Sequence, residues 1–141
     1  MAYGPLLIVE DSDADFYAIR RALGENLPCM IVHCQTGDEA LNYLFRRGAH
    51  AQAVLPSLVL LDLNLPGTDG RTVLNQIKHD STLCAVPVIV VTTSNNPADI
   101  IHCYRAGCSG YLVKPLAYER LVLALQTLCS YWFTMVTLPQ Q

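Results

Sequence analysis

Side chains able to do chemistry follow four apolar runs of this chain, each at the point where a run ends. They are Glu10 and Asp11 after residues 6–9, Asp62 after residues 58–61, Thr92 after residues 86–91, and Lys114 after residues 111–113. Parallel strands place their carboxyl ends at one edge of a sheet, where open α/β sheets bind ligands. If these runs are parallel strands, three carboxylates, a hydroxyl and an ammonium converge at that edge.

Three carboxylates gathered at one edge repel each other, so such a cluster needs a compensating positive charge. A hard divalent cation with oxygen ligands meets that need, and Mg²⁺ in addition tolerates bound water and shares a phosphate readily. Asp62 directly follows a continuous apolar run, where a carboxylate costs desolvation free energy unless a cation or a donor meets it. The residue types therefore predict a Mg²⁺ site at the strand ends.

The runs that carry these residues alternate with helical patterns. The continuous apolar run 58–61 is typical of a strand buried on both faces, and a short additional strand is predicted at residues 30–34. Helices are predicted at about residues 13–23, 38–47, 72–78, 97–107 and 117–135. Five strands alternating with five helices predict an α/β fold, a doubly wound five-stranded parallel sheet with helices on both faces.

The four motifs together resemble the receiver domain of two-component response regulators. That family has an acidic pair after the first strand, a phosphoacceptor Asp after the third, Thr or Ser after the fourth and Lys-Pro after the fifth. Glu10-Asp11, Asp62, Thr92 and Lys114-Pro115 match in order, and the resemblance covers about residues 6–130. It implies the flavodoxin-like strand order 2-1-3-4-5.

The resemblance also implies a role for each matching residue in the metal site. Asp62 is the expected phosphoacceptor, taking the phosphoryl group of a sensor histidine kinase. Asp11 and Asp62 are the expected direct Mg²⁺ ligands, Asn64 gives its backbone carbonyl, and Glu10 reaches the metal through water. Family members more often have Asp at the position of Glu10, so the extra methylene is a departure from the pattern.

Further residues follow the family pattern of signal output. Thr92 is expected to hydrogen-bond a phosphoryl oxygen, and Lys114 to contact the phosphoryl group, aimed inward by a cis Lys114–Pro115 bond. Tyr111 matches the family's switch aromatic, with a half-buried strand tyrosine as the structural alternative. Asn64 and Ser94 stand two residues beyond Asp62 and Thr92, where they are expected to tune the phosphoryl lifetime.

Three other classes of protein fit less well. A haloacid-dehalogenase-type phosphatase also uses a strand-end Asp with Mg²⁺, but it needs a second Asp where this chain has Asn64. A nucleotide-binding Rossmann domain needs a Gly-rich turn after its first strand, where residues 10–13 here are Glu-Asp-Ser-Asp. A pseudo-receiver scaffold usually lacks the acceptor Asp or the Lys, and both are present.

Composition and charge indicate which kinds of partner and which cellular compartment to expect. The formal net charge is −3 and the only adjacent basic pairs, Arg20-Arg21 and Arg46-Arg47, fall on predicted helices, so neither nucleic acid nor a membrane is expected as a partner. No apolar run approaches the roughly 18 residues of a membrane span. The six cysteines show no C-x-x-C pair and are expected to be free thiols in a cytoplasmic protein.

The C-terminal segment predicts self-association. The chain is interpreted as one receiver domain over residues 1–141, with an extended C-terminal helix and tail at about 117–139 and no output domain. The apolar positions of this helix fill an arc wider than one sheet face requires, and Leu128, Trp132 and Phe133 are expected in a homodimer interface. The alternative is a tail folded back onto its own domain.

A narrower resemblance is to single-domain regulators paired with phytochrome-type histidine kinases. It rests on residues 61–70, the Val-Thr-Thr-Ser run and this tail.

Overall fold

Five strands form one parallel sheet in the computed structural model, which describes residues 3–25 and 27–140. The strands are β1 (Leu6–Val9), β2 (Ile31–Cys34), β3 (Leu58–Leu61), β4 (Val88–Thr92) and β5 (Gly110–Val113). Their order across the sheet is β2-β1-β3-β4-β5, and each neighbouring pair is parallel. The predicted α/β fold and its flavodoxin-like strand order are therefore confirmed.

A helix follows each strand. The helices are α1 (Asp13–Leu23), α2 (Gly37–Leu44), α3 (Gly70–His79), α4 (Pro97–Ala106) and α5 (Tyr118–Ser130), with short 3₁₀ turns at Gly48–His50 and Leu83–Ala85. Side chains cap the first four starts: Ser12, Thr36, Asp69 and Asn96 each accept a hydrogen bond from a backbone N–H in the first turn. Each cap fixes where its helix begins, and the helices α1, α3 and α4 follow the strands β1, β3 and β4, which end at candidate site residues.

Both faces of the sheet are covered by helices, because strand residues alternate between the two faces. On the α2–α4 face, Leu7 and Val9 of β1 join the apolar residues of helices α2, α3 and α4. On the opposite, α1/α5 face, Leu6 and Ile8 join those of α1 and α5. All four residues of β1 and all four of β3 are buried, so the central strands are rigid supports for the residues that follow them.

Among the element boundaries that differ from the sequence predictions, two lie at β4 and α2. Strand β4 begins at Val88 rather than at residue 86, because the Val86 N–H closes the preceding 3₁₀ turn on Leu83. Helix α2 ends at Leu44 instead of near residue 47, and Arg46 takes a left-handed backbone with φ of 56°. Neither difference moves a candidate site residue.

The last helix also differs. Regular α-helix ends at Ser130, and Tyr131–Met135 form a π-helical turn, although the apolar spacing continues through it. Trp132 and Phe133 are half-buried against the α1/α5 face, and Leu138 beyond them is 2% exposed. Part of the tail therefore packs on its own domain, as the sequence alternative proposed, while Met135 stays 75% exposed.

The six cysteines are free thiols, five of them buried and Cys84 exposed. Over the residues that the structure describes, no helix is both long and apolar enough to cross a bilayer.

Candidate functional site

Three carboxylates converge at the carboxyl end of the central strands. Glu10 and Asp11 leave β1 and Asp62 leaves β3, and the register pairs Val9 with Leu61, so the acids that follow are neighbours. One ligand oxygen of each lies within 4.8 Å of the other two. Glu10 and Asp62 are buried whereas Asp11 is exposed, so the cluster opens to solvent on the side of Asp11.

The buried Lys114 ammonium neutralises this cluster from the β5 side. Its Nζ donates to Glu10 Oε1 at 2.6 Å, to Asp15 Oδ2 at 2.7 Å and to Asp62 Oδ2 at 3.1 Å. Burial by itself lowers the pKa of Lys114, but the hydrogen bonds to Asp15 and Glu10 outweigh burial and hold the pKa above its ordinary value. Lys114 is therefore a charged, fully hydrogen-bonded partner of the acids.

Glu10 is the most deeply buried acid of the site. Burial, together with the charge of Asp62, raises the pKa of Glu10 to about 7, although Lys114 acts in the opposite direction. Its Oε2 accepts a hydrogen bond from the Ser12 N–H, and its backbone carbonyl lies 2.8 Å from His33 Nε2. A second positive charge at this site would favour the ionised form of Glu10.

The structure corrects the expected peptide isomer at the lysine. The Lys114–Pro115 bond is trans, although the family resemblance implied a cis bond that aims the lysine inward. Strand alternation aims it without that bond: Val113 is 37% exposed and Lys114 is 7% exposed. The Lys114 N–H also donates to the Thr92 carbonyl at 2.7 Å, which holds the end of β5 against β4.

The residues after β4 lie beside the acid cluster in a hydrogen-bonded loop. Thr92 is buried and Thr93 is exposed, because successive strand residues face opposite sides. The Thr92 hydroxyl oxygen is 3.4 Å from the Ser94 N–H, and the Tyr111 hydroxyl donates to the Ser94 carbonyl at 2.9 Å. Burial raises the pKa of Tyr111 above its ordinary value.

Ser94 belongs to an ionic network that spacing alone did not reveal. Its hydroxyl donates to Asp99 Oδ2 at 2.6 Å, and the guanidinium of Arg71 makes two hydrogen bonds of 2.8 Å to the same carboxylate. Arg71 also contacts Asp69, the cap of α3. We call Arg71, Asp69, Asp99 and Ser94 the Arg71 network; it joins the start of α3 to the start of α4.

The sequence analysis also did not identify Asp15 as part of the site. This residue lies in the first turn of α1, and its carboxylate reaches Lys114 only in the folded chain, where α1 packs against α5. The only signal in the sequence was an extra acid four residues after Asp11. An acid at a helix start is also explained by its favourable interaction with the helix dipole, so this signal did not indicate a site residue.

Asn64 is exposed, and its N–H donates to Asp62 Oδ1 at 3.2 Å.

Comparison with known proteins decides the family. The model of the response regulator receiver domain matches residues 6–126. The chain is a response regulator receiver. Among curated relatives, Rcp1 of Synechocystis sp. is 37% identical over 135 residues, which is 95% of this chain and 92% of the relative.

Solved structures of receivers match over nearly the whole chain. The Mn²⁺-bound form of response regulator Rcp1 superposes with a TM-score of 0.94 at 36% identity, covering 97% of this receiver and 99% of that chain. The phosphorylated cyanobacterial phytochrome response regulator RcpA superposes with a TM-score of 0.94 at 38% identity, covering 99% and 100%. This receiver is thus related to the phytochrome response regulators, and neither a phosphatase nor a Rossmann enzyme is favoured.

Proposed function

We propose that this receiver accepts a phosphoryl group on Asp62 from the phosphohistidine of a sensor histidine kinase, and that the reaction requires Mg²⁺. The observation that carries this proposal is the buried Asp62 carboxylate, which shares one edge with two further acids and lies 3.1 Å from the Lys114 ammonium. The relative RcpA is described as phosphorylated and Rcp1 as Mn²⁺-bound, which supports both parts of the proposal.

Phosphoryl transfer from a phosphohistidine to Asp62 needs no further reactant. An Asp62 carboxylate oxygen forms a bond to phosphorus while the bond from phosphorus to the imidazole nitrogen breaks. The bonding electrons stay on that nitrogen, and the proton on the other ring nitrogen makes the leaving group a neutral imidazole. Covalent chemistry asks little more of the protein than positioning and charge stabilisation.

The acid cluster fits a Mg²⁺ ion because its donors are all oxygens. Asp11 and Asp62 would bind it directly, Asn64 through its backbone carbonyl and Glu10 through water. When bound, the ion would neutralise charge on the acids and on the incoming phosphoryl group. Lys114 would supply the remaining positive charge on the opposite side of Asp62.

Output would begin at Thr92 and Tyr111. A phosphoryl oxygen on Asp62 offers the Thr92 hydroxyl a stronger acceptor than it has in the resting site, where Thr92 Oγ1 only accepts a long bond from Ser94. Movement of Thr92 would shift Ser94, and Tyr111 would follow because its hydroxyl is bonded to the Ser94 carbonyl. Asn64 and Ser94 would set how readily water reaches the acyl phosphate.

The protein would catalyse only its own phosphorylation and dephosphorylation, and would signal by protein contact in the cytoplasm. We propose a bacteriophytochrome as its kinase, since RcpA is described as a phytochrome response regulator. We also propose a homodimer through α5 and the tail. Leu128 of α5 and Trp132 and Phe133 of the tail are partly buried, whereas Leu123 and Met135 are 61% and 75% exposed.

Labelling by a small phosphodonor tests the proposed function. Wild-type protein incubated with acetyl phosphate and Mg²⁺ should give an acid-labile, shifted band on a phosphate-affinity gel, and chelation with EDTA should abolish the band. Asp62→Asn should remove it, whereas Asp13→Asn, a change at an exposed acid of α1, should keep it. Labelling of Asp62→Asn at the wild-type rate would contradict the assignment.

A further inference from the structure

We propose that Asp15 is a positioning residue for phosphoryl transfer: it fixes the Lys114 ammonium so that one N–H is directed at Asp62. The inference rests on the proposed function and extends it to a residue outside the metal-ligand set. Its basis is the direct contact of 2.7 Å between Asp15 Oδ2 and Lys114 Nζ.

The donors of the ammonium are fully used in the resting protein. A lysine ammonium has three N–H donors, and Lys114 makes three hydrogen bonds to three different carboxylates. The bonds to Glu10 and Asp15 are the short ones, at 2.6 and 2.7 Å, and the bond to Asp62 is the long one, at 3.1 Å. Two short bonds therefore hold the ammonium, and the third N–H is the one that points to the phosphoacceptor.

This arrangement lets the third N–H change partner without moving the lysine. When Asp62 becomes an acyl phosphate, a phosphoryl oxygen with greater negative charge lies next to it. The N–H that donated to Asp62 Oδ2 can then donate to that oxygen while the bonds to Glu10 and Asp15 persist. A charged donor held in place in a buried site stabilises developing charge at little reorganisation cost.

Asp15 differs from Glu10 because it has no role in the proposed metal site. Glu10 belongs to the cluster that can hold a metal, and its charge would be divided between the ion and Lys114. Asp15 lies outside that cluster and is fixed by the start of α1, where its own N–H donates to the Ser12 cap at 3.3 Å. Asp15 is thus the partner that would keep Lys114 in place when the metal site is filled.

The direction in which Asp15→Asn changes the labelling rate distinguishes a positioning role of Asp15 from an effect of its charge alone. Removing any acid near the site lowers its negative potential and favours approach of an anionic phosphodonor. If Asp15 acted only through its charge, Asp15→Asn would speed labelling, as Asp13→Asn should slightly. If Asp15 holds Lys114, Asp15→Asn should slow labelling instead.

The experiment measures initial labelling rates by acetyl phosphate at saturating Mg²⁺ for wild type, Asp15→Asn, Asp15→Glu and Asp13→Asn. We expect Asp15→Asn to be slower on the order of tenfold, as for a misplaced catalytic group. Asp15→Glu should recover part of the rate because it keeps a carboxylate, and Asp13→Asn should match or exceed wild type. Equal or faster labelling of Asp15→Asn, or no recovery by Asp15→Glu, would overturn the inference.

A second measurement needs no phosphorylation. In metal-free protein, a urea-denaturation cycle of Asp15→Asn, Lys114→Met and the double variant should show favourable coupling between the two side chains. Absence of coupling would overturn the claim that Asp15 holds Lys114. Failure of wild-type labelling would instead refute the proposed function, and the cycle would still decide the resting contact.

Discussion

Lys114 carries the positive charge that faces Glu10 and Asp62 in a nearly closed site. The three side chains are 4%, 2% and 8% exposed, so removing the ammonium leaves two buried carboxylates unpaired. We expect Lys114→Met to lower the free energy of unfolding by about 3–5 kcal/mol in EDTA, as for other broken buried pairs. Mg²⁺ should restore part of the loss, because it neutralises the same acids.

Urea denaturation with EDTA and with Mg²⁺ measures both effects. The matched control is Arg21→Met, which breaks an ion pair to Glu119 between side chains that are 54% and 70% exposed. That change should alter stability little. A Lys114→Met variant as stable as wild type in EDTA would contradict the assigned neutralising role.

The backbone of Gly70 packs closely against that of Asp62 and Leu63. A Cβ at this position would lie 2.1 Å from the Asp62 carbonyl oxygen and 2.6 Å from Leu63 Cα. We expect Gly70→Ala to cost about 1–3 kcal/mol and to displace the end of β3, because backbone atoms cannot rotate away. Gly110→Ala is the control, since its nearest contact would be an ordinary 3.5 Å to a side-chain methyl of Ile89.

Thermal unfolding measures the loss of stability in these glycine variants, and the amide chemical shifts of residues 62–64 report displacement of the end of β3. Gly110→Ala should leave the shifts at 62–64 in place. Gly70→Ala with wild-type stability and unchanged shifts would show that the close approach does not constrain the site.

At the scale of elements, the Arg71 network ties α3 to α4. The Arg71–Asp99 pair is bidentate, with side chains 29% and 18% exposed, so solvent screens it in part. A double-mutant cycle of Arg71→Gln and Asp99→Asn should give a coupling of about 1 kcal/mol at neutral pH, the upper end for accessible pairs. Hydrogen exchange in the first turn of α4 should accelerate in both single variants.

The coupling between Arg71 and Asp99 has a predictable pH dependence. Hydrogen bonds from Arg71, then from Ser94, lower the pKa of Asp99 from 3.8 to about 2. Because the pKa is depressed in the folded protein, the stabilisation is complete above about pH 4 and is lost as the pH falls through about 2. A coupling free energy unchanged between pH 5 and pH 2 would contradict the assigned ion pair.

At the scale of the whole molecule, the proposed homodimer can be tested on exposed side chains. Trp132 and Phe133 pack on the α1/α5 face, so replacing them would also weaken the monomer. Leu123→Ser with Met135→Ser changes exposed residues of α5 and the tail, and should shift sedimentation at tens of micromolar from dimer to monomer. Val54→Ser, at a residue 61% exposed outside α5 and the tail, is the control. A wild-type monomer would contradict the proposal.

The sequence was sufficient for the sheet and for the identity of the acids, because residue type at a strand end is local information. It was insufficient for Asp15 and Arg71, whose partners Lys114 and Asp99 are 99 and 28 residues away. Those pairs depend on how α1 and α3 pack, which periodicity does not specify. The change from α-helical to π-helical hydrogen bonding at Tyr131 was also not predictable, because the apolar spacing of the sequence continues through the π-helical turn.

The distribution of thiols makes the protein its own reporter of unfolding. Cys84 is exposed and should react with a maleimide at once, giving a single attachment point for a fluorophore without any substitution. Cys34, Cys103 and Cys108 lie in the core of the α2–α4 face, and Cys29 in that of the α1/α5 face. Burial raises the pKa of Cys34 to about 12 and that of Cys103 to about 11, so these thiols react only when the core opens. The order in which mass labels appear on these four of the five buried thiols would therefore show which side of the sheet separates first.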